Sequence, residues 1–243
     1  MSTSTLVKLS AFAASFASLV GFSTLFGVEA SYASIVNGGF ETGNFDGWET
    51  IGDTSIETST FGSGPKEGDF QALLQTSSIN DFQLEYFLGL PSGSLDALGN
   101  GNATEGSAIK QTFTAKAGQV VKFHWNFLTD ELDFDSNPST FNDFAFVSLT
   151  SLSELGDTSL SFMNSLTPFS DETGFEKFSY VIPATGTYTL GIGVTDVGNR
   201  IFESGLLVDK VAVTPEPASV LGLFAVSVLG AGSAFKRKQQ PKN

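Results

Sequence analysis

Carboxylate and amide side chains are concentrated in one stretch of the chain, between residues 130 and 143. Their oxygens are the ligands that hard cations such as calcium prefer, although the stretch lacks the glycine and terminal glutamate of an EF-hand. A solvated acidic loop is the alternative interpretation. The members of this acidic cluster are Asp130, Glu131, Asp133, Asp135, Asn142 and Asp143.

Groups for nucleophilic catalysis are scarce. His124 is the single histidine, cysteine is absent and no Gly-x-Ser-x-Gly segment occurs, so Ser/His/Asp and Cys/His mechanisms have little support. A glycoside hydrolase needs only two carboxyl groups about 5 to 9 Å apart, which an acidic chain leaves open. We therefore predict no enzymatic activity and no catalytic residue, with a polysaccharide hydrolase using a carboxylate pair as the alternative.

Aromatic side chains offer a different chemistry, because a ring face packs against the apolar face of a sugar while amides and acids bind its hydroxyls. The candidate platform residues are Trp48, Phe82 and Tyr86, and Phe87, Gln83 and Glu85 lie beside the last two in sequence. Core packing is the alternative role for each ring.

The charge of the chain limits its partners. The formal net charge is −14, and several cations lie at the two ends, so the segment between residues 34 and 217 is more acidic still. Such a segment repels phosphate backbones, and we predict no nucleic-acid binding. It could attract divalent cations.

The first 33 residues have the layout of a secretory signal peptide. Lys8 precedes an apolar segment from Leu9 to Val28, and Ser31 and Ala33 are small residues at the positions that a signal peptidase reads. We place the mature start near Ser34, with an uncleaved anchor as the alternative. Because the chain has no cysteine, the exported domain must be stabilised by its core or by metal.

Residues 34–214 show the alternation of β-strands. Val121, Phe123, Trp125 and Phe127 occupy every second position, which predicts a strand with one buried face. Similar patterns predict nine or ten strands, mostly antiparallel because their connections are short. We expect a single all-β domain, a jelly-roll-like antiparallel β-sandwich, with no amphipathic helix. The predicted strands are Ile35 to Phe40, Trp48 to Ile51, Phe70 to Leu74, Ile109 to Thr114, Gln119 to Leu128, Phe144 to Phe146, Phe178 to Ile182, Tyr188 to Val194 and Leu206 to Val213.

The C-terminal segment, residues 215–243, has three parts in a specific order. Pro215, Glu216 and Pro217 come first, the uncharged run 218–235 is just long enough for a membrane helix, and Lys236, Arg237 and Lys238 follow. This order resembles the PEP-CTERM sorting signal of bacteria that make exopolysaccharide. The resemblance implies that an exosortase, a membrane transpeptidase, cleaves near the motif and releases the protein to the cell surface. A plain membrane anchor is the alternative.

Two further resemblances concern the domain itself. The segment Asn37 to Gly43 and the closing stretch Leu206 to Val213 resemble the first and last strands of galactose-binding-like jelly rolls, including carbohydrate-binding modules. That resemblance implies a structural calcium ion at Glu41 and Asp209; two solvated acids are the alternative. Residues 127–131 and 142–147 resemble a pattern in other PEP-CTERM cargo domains, which implies that Glu131 and Asp143 tie the loop ends directly or through a cation.

These observations together predict an exported protein of the cell surface or extracellular matrix, membrane-anchored as a precursor. Its predicted role is that of a non-catalytic adhesive or carbohydrate-binding module. The implied partners are an exosortase during processing and an extracellular polysaccharide, and the only implied cofactor is structural calcium.

Overall fold

The computed structural model describes residues 35–77, 79–131, 141–160, 162–198 and 200–215. Within these residues the chain is all-β apart from one α-helix and two short 3-10 helices, which confirms the predicted fold class. The strands are β1 (Glu49–Ile51), β2 (Asp53–Glu57), β3 (Gln71–Gln75), β4 (Ile79–Asn80), β5 (Ala103–Ala115), β6 (Val120–Thr129), β7 (Phe144–Ser148), β8 (Leu152–Asp157), β9 (Met163–Asn164), β10 (Asp171–Glu172), β11 (Glu176–Val181), β12 (Gly186–Val197) and β13 (Ser204–Thr214). The α-helix, α1, spans Asp81–Leu88, and the 3-10 helices span Ser59–Phe61 and Asp96–Leu98.

The strands form two antiparallel sheets. The first has the order β1-β5-β12-β7-β8, with β4 also paired to β5. The second has the order β2-β3-β13-β6-β10-β9, with β11 also paired to β6. The largest buried cluster draws side chains from both sheets, such as Ile109 and Ile192 from the first and Phe127 and Val208 from the second. The core therefore lies between the sheets, as in a sandwich.

Strand β6 shows why the alternating pattern was informative. Val121, Phe123, Trp125 and Phe127 are all buried in the main core, whereas Lys122 between them is exposed. Successive side chains of a strand point to opposite faces, so these four side chains lie in the core between the sheets and Lys122 lies on the outer face. The strands that the sequence did not predict are β2, β8 and the two-residue strands β4, β9 and β10, and β2 and β8 are only partly buried.

The sequence predicts no amphipathic helix in the domain, and α1 is a short helix that it did not predict. Asn80 caps its N-terminus, with its side-chain Oδ1 accepting from the Gln83 N–H at 2.9 Å. Gly89 ends it in the left-handed conformation with φ 72°, and its N–H donates to the Tyr86 carbonyl. Of its eight residues only Leu84 and Glu85 are buried, so the helix lacks the wide apolar stripe that marks a helix in a sequence.

The predicted first strand, Ile35 to Phe40, is also corrected. This segment forms turns, and Asn37 and Phe40 have positive φ angles of 49° and 58°. It nevertheless packs against the closing strand, because the Val211 N–H donates to the Gly38 carbonyl at 2.8 Å and the Phe40 ring is buried. A side chain at Gly38 would collide with the Val211 backbone, so glycine allows this close approach.

The C-terminal sorting segment lies almost entirely outside the described residues. Pro215 follows β13 directly and is exposed, whereas Glu216, Pro217, Lys236, Arg237 and Lys238 lie outside. The predicted signal peptide and the predicted membrane helix at 218–235 lie outside as well. In the ranges that are described, no helix has the length and apolar character needed to cross a membrane.

We expect Phe127→Ala to lower the free energy of unfolding by about 3–5 kcal/mol, because it removes a fully buried ring from the core between the sheets. Phe82→Ala is the matched control, since the Phe82 ring is largely exposed, and it should cost less than about 1 kcal/mol. Urea unfolding of the full-length chain measures both. Similar losses for the two variants would contradict this placement of the core.

Candidate functional site

An open cleft of about 550 Å³ lies beside helix α1 and carries the exposed aromatic residues of this surface. Phe82 is 60 % exposed and Tyr86 is 81 % exposed, and the two are one helical turn apart. The two residues thus lie on one exposed face of α1, and their role as a ligand platform stays a prediction. The cleft is lined by Ile51, Phe82, Gln83, Tyr86, Phe87 and Lys110.

Lys110 supplies a positive charge at this cleft. Its Nζ donates to the Phe87 carbonyl at 2.8 Å and lies 4.3 Å from the centre of the Phe87 ring. The same nitrogen is 3.4 Å from Glu49 Oε2, on the neighbouring strand β1. These contacts hold the ammonium group in place beside the aromatic residues. Sequence reasoning missed Lys110, because it lies on β5, far from α1 in the chain.

Glu85 anchors the helix rather than lining the cleft. It is buried, and its two carboxylate oxygens accept from the Gly93 N–H at 2.8 Å and the Leu95 N–H at 2.9 Å. Because Leu95 is itself buried beside Leu84, these bonds tie α1 to the loop that follows it. The exposed residues Phe82 and Tyr86 therefore lie on a helix that is fixed to the rest of the domain.

Trp48 is not part of an exposed platform. It is 7 % exposed, packs against the Phe40 ring at 5.6 Å between centroids, and donates from Nε1 to the Asn37 carbonyl at 3.2 Å. The expectation that it stands beside the glycine-rich loop as a ligand platform is corrected on this ground. Its role is to fix the turn segment at residues 35–40.

Glu41 and Asp209 lie close together, as the predicted calcium pair requires. A Cβ built on Gly39 would be 3.9 Å from Glu41 Oε1 and 3.8 Å from Asp209 Oδ1. Both carboxylates accept backbone N–H groups from one loop: Glu41 from Asp69 and Phe70, and Asp209 from Lys66 and Glu67. The structure thus brings the pair together around Gly39, and their occupation by calcium stays a prediction.

Asp209 is the more buried member of this pair. Burial raises its pKa to about 6, and the charge of Glu41 acts in the same direction. Hydrogen bonds from the Glu67, Lys210 and Lys66 backbone favour the ionised form and oppose the shift. Lys210 follows with a positive φ of 56° at an irregularity in the pairing of β13 with β6. This local distortion lets the loop at residues 66–67 reach the carboxylate.

The acidic cluster is not gathered into one group. Asp130 Oδ1 accepts from the Ser170 N–H and hydroxyl at 2.7 and 2.8 Å, so it orders a different loop. Asn142 is buried and donates to Asp157 Oδ2 at 2.9 Å. Asp133 and Asp135 lie outside the described residues. In the part of the chain that the structure describes, no three His, Asp or Glu side chains form a metal-binding group.

Asp143 has a partner that sequence reasoning missed. It is completely buried, and its neighbour on the adjacent strand is Asp196, which is 1 % exposed. Burial and the charges of Asp196 and Glu131 raise the pKa of Asp143 to about 9. Burial also raises the pKa of Asp196 to about 7, where the charges of Glu105 and Glu131 add to the shift. A signal did exist, because Asp196 continues the alternation of Leu190, Ile192 and Val194 at a position where a core residue is expected.

His124 lies on an interior strand, not at an edge. Strand β6 is paired with β13 on one side and β11 on the other, and Lys177 and Asp209 stand opposite His124 in the two partners. Desolvation lowers its pKa, and the charges of four lysines, Lys177 first among them, act in the same direction. Both effects favour the neutral imidazole over the charged form.

No protein-family model matches this sequence, and neither does any curated protein. Solved structures do show a partial likeness. The carbohydrate-binding module TmCBM61, solved with β-1,4-galactotriose, has 13% identity and a TM-score of 0.41, over 74% of this chain and 96% of its own. A cleaved adhesin domain of Lys-gingipain from Porphyromonas gingivalis has 13% identity and a TM-score of 0.39, over 76% and 99%. Likeness at this level assigns no ligand and no site to the present chain.

Proposed function

We propose that this protein is an exported, non-catalytic module that binds polysaccharide at the cleft beside α1. The single observation that carries the proposal is the exposure of Phe82 and Tyr86 on one face of a helix, above a cleft of about 550 Å³. Large rings that stay in water at one place on a soluble domain are typical of a binding surface.

The chemistry of the cleft fits a sugar chain. Ring faces pack against the C–H groups of a pyranose, and the Gln83 amide and the Lys110 ammonium can hydrogen-bond with hydroxyl groups. The cleft is open, so a long chain could pass across it without threading. Among the described residues that line the cleft, Lys110 is the charged one, so neutral and weakly acidic polysaccharides are the expected ligand class.

The hydrolase alternative requires a carboxyl pair that a polysaccharide can reach. Asp143 and Asp196 form a carboxyl pair with raised pKa values, but both are buried. Their burial removes them from contact with a glycosidic bond. This favours binding over hydrolysis for the described part of the domain.

A calcium ion at Glu41 and Asp209 is part of the same proposal, as a structural cofactor. The two carboxylates converge where the turn segment 35–40 meets the closing strand β13 and the loop at residues 66–70. Calcium accepts carboxylate, carbonyl and water oxygens in irregular geometry, which suits a site formed by three separate segments. Its role would be to join the two ends of the domain.

Export and sorting complete the proposal. The exposed Pro215 follows β13 directly, so a protease would meet the proposed Pro215-Glu216-Pro217 motif immediately beyond the folded domain. Proline rings prevent regular backbone pairing and favour an extended chain of the kind that a protease binds. We assign the processing to an exosortase, with the cell surface or the extracellular matrix as the destination.

The double variant Phe82→Ala/Tyr86→Ala should weaken polysaccharide binding at least about tenfold, since each truncated hot-spot ring costs more than about 1 kcal/mol. Isothermal titration of the full-length chain against soluble neutral and uronic-acid polysaccharides measures the effect, and reducing-end assays of each ligand test for hydrolysis. Phe202→Ala changes a partly exposed ring outside the cleft and is the control. Unchanged affinity in the double variant, or release of reducing ends, would refute the proposal.

Calcium should raise the melting temperature of the full-length chain, and Glu41→Gln/Asp209→Asn should remove the part of that rise that belongs to this site. The physical reason is that an ion that binds only the folded state stabilises it by mass action. Scanning calorimetry with calcium chloride and with EDTA provides the measurement. A double variant with the same calcium-dependent rise as the wild type would exclude an ion at this pair.

Mature protein recovered from the outside of its native cell should lack every peptide beyond Phe235, because processing at the sorting motif removes the tail. Mass spectrometry of the exported protein identifies the terminal peptide. Glu216→Ala is the control, and it should leave the protein unprocessed in the membrane fraction. Intact tail peptides in exported wild-type protein would show that the tail is not a processed signal.

A further inference from the structure

Two buried carboxyl groups face each other at one end of the first sheet. Phe144 is paired with Thr195 in the register of β7 and β12, so Asp143 and Asp196 are the next residues on the two neighbouring strands. Asp143 is completely buried and Asp196 is 1 % exposed. Like charges directly opposite on adjacent strands destabilise a sheet, and burial enlarges the cost.

The hydrogen bonds at this pair are incomplete. The Val197 N–H donates to Asp143 Oδ1 at 2.9 Å, and the Ser204 hydroxyl donates to Asp143 Oδ2 at 2.7 Å. Asp196 Oδ1, in contrast, is buried and has no hydrogen-bond partner. Gln71 Oε1 and His124 Nδ1 are also buried without a partner in the described residues, but Asp196 Oδ1 is the one that belongs to a carboxylate. A buried anionic oxygen needs a hydrogen-bond donor or a cation to offset its desolvation.

In the part of the chain that the structure describes, this pair has no cationic side chain as a partner. Glu105, whose charge acts on Asp196, is paired with Arg200 at 3.2 Å. Across the described residues, no lysine or arginine forms an ion pair with Asp143 or Asp196. Glu131 adds a further negative charge, because it acts electrostatically on both. Within the described residues, the two carboxyl groups therefore have no ion-pair partner.

We propose that Asp143 and Asp196 bind one calcium ion, with the unpartnered Asp196 Oδ1 as a ligand. The side chains at this place, the two carboxyl groups and the hydroxyl groups of Ser204 and Thr129, offer only oxygen atoms as metal ligands. The two hydroxyl oxygens lie 2.9 Å apart. Hard oxygen ligands suit calcium and magnesium rather than zinc or copper. Calcium is favoured because it accepts irregular sites completed by carbonyl oxygens and water, whereas magnesium demands a regular octahedron.

An ion at this place would join the two sheets. Asp196 lies on β12 and Asp143 immediately precedes β7, two strands of the first sheet, whereas Ser204, which donates to Asp143, begins β13 in the second. Removing the ion would leave two carboxylates to repel each other beside this junction. The site shares no residue with the proposed polysaccharide cleft or with the Glu41 and Asp209 pair, so it does not depend on either proposal.

Calcium titration of the full-length chain, freed of metal by EDTA and dialysis, tests the site. Isothermal titration with calcium chloride should give one fewer bound ion in Asp196→Asn than in the wild type, or binding at least about tenfold weaker at that ion. Asparagine keeps the shape and removes the charge, so the metal-free variant should melt no lower than the metal-free wild type. Circular dichroism verifies its fold, and Asp143→Asn reports on the same ion independently.

The controls separate this site from the other one. Glu41→Gln/Asp209→Asn should keep the ion bound at Asp143 and Asp196, and Glu176→Gln, which neutralises an exposed acid of β11, should bind like the wild type. Two outcomes overturn the proposal: a wild type that binds no calcium up to about 1 mM, or Asp196→Asn and Asp143→Asn with wild-type stoichiometry and affinity. Either would mean that the two carboxyl groups share a proton instead of a metal ion.

Discussion

The pairing of β13 with β6 is the interaction on which the rest of this sandwich depends. Strand β13 is bonded to β6 along one edge and to β3 along the other, and the turn segment at residues 35–40 is bonded to it through Val211 and Gly38. The first and last described segments of the domain therefore meet on one strand. Its start, at Ser204, contacts Asp143, and its irregularity after Asp209 admits the loop at residues 66–67. The surroundings of the buried residues Asp143 and Asp209 consequently both depend on β13.

The sequence was most informative where a segment had a single physical task. In β6 the alternating rings had only to enter the core, and the structure buries each of them. The segment at residues 35–40 has an apolar pattern too, but its positive φ angles at Asn37 and Phe40 make turns rather than a strand. The run Asn37-Gly38-Gly39 is itself a local turn signal, whereas the positive φ of Phe40 accompanies its burial against Trp48. The fold class and the other predicted strands were therefore recovered, and this turn segment was not.

The candidate sites show the same limit. Phe82, Gln83, Glu85 and Tyr86 are neighbours in sequence, yet in a helix only some of them share a face, and Glu85 turns inward to bind the Gly93 and Leu95 N–H groups. Separating the exposed residues from the buried Glu85 requires knowing that this segment is helical. The sequence does not indicate the helix, because α1 is short and mostly exposed. Asp196 was overlooked for the opposite reason. It occupies a core position in an alternating strand, and its meaning appears only when β7 places Asp143 opposite it.

The absence of cysteine gives the buried acids a physical significance beyond their own contacts. A disulfide stabilises a small exported domain by about 2–4 kcal/mol, and this chain has no means of forming one. An ion present at a hundred times its dissociation constant stabilises the folded state by about 2.7 kcal/mol, which is comparable. Unlike a disulfide, this contribution varies with the concentration of the free ion. A domain joined by calcium would therefore reach full stability only where calcium is plentiful.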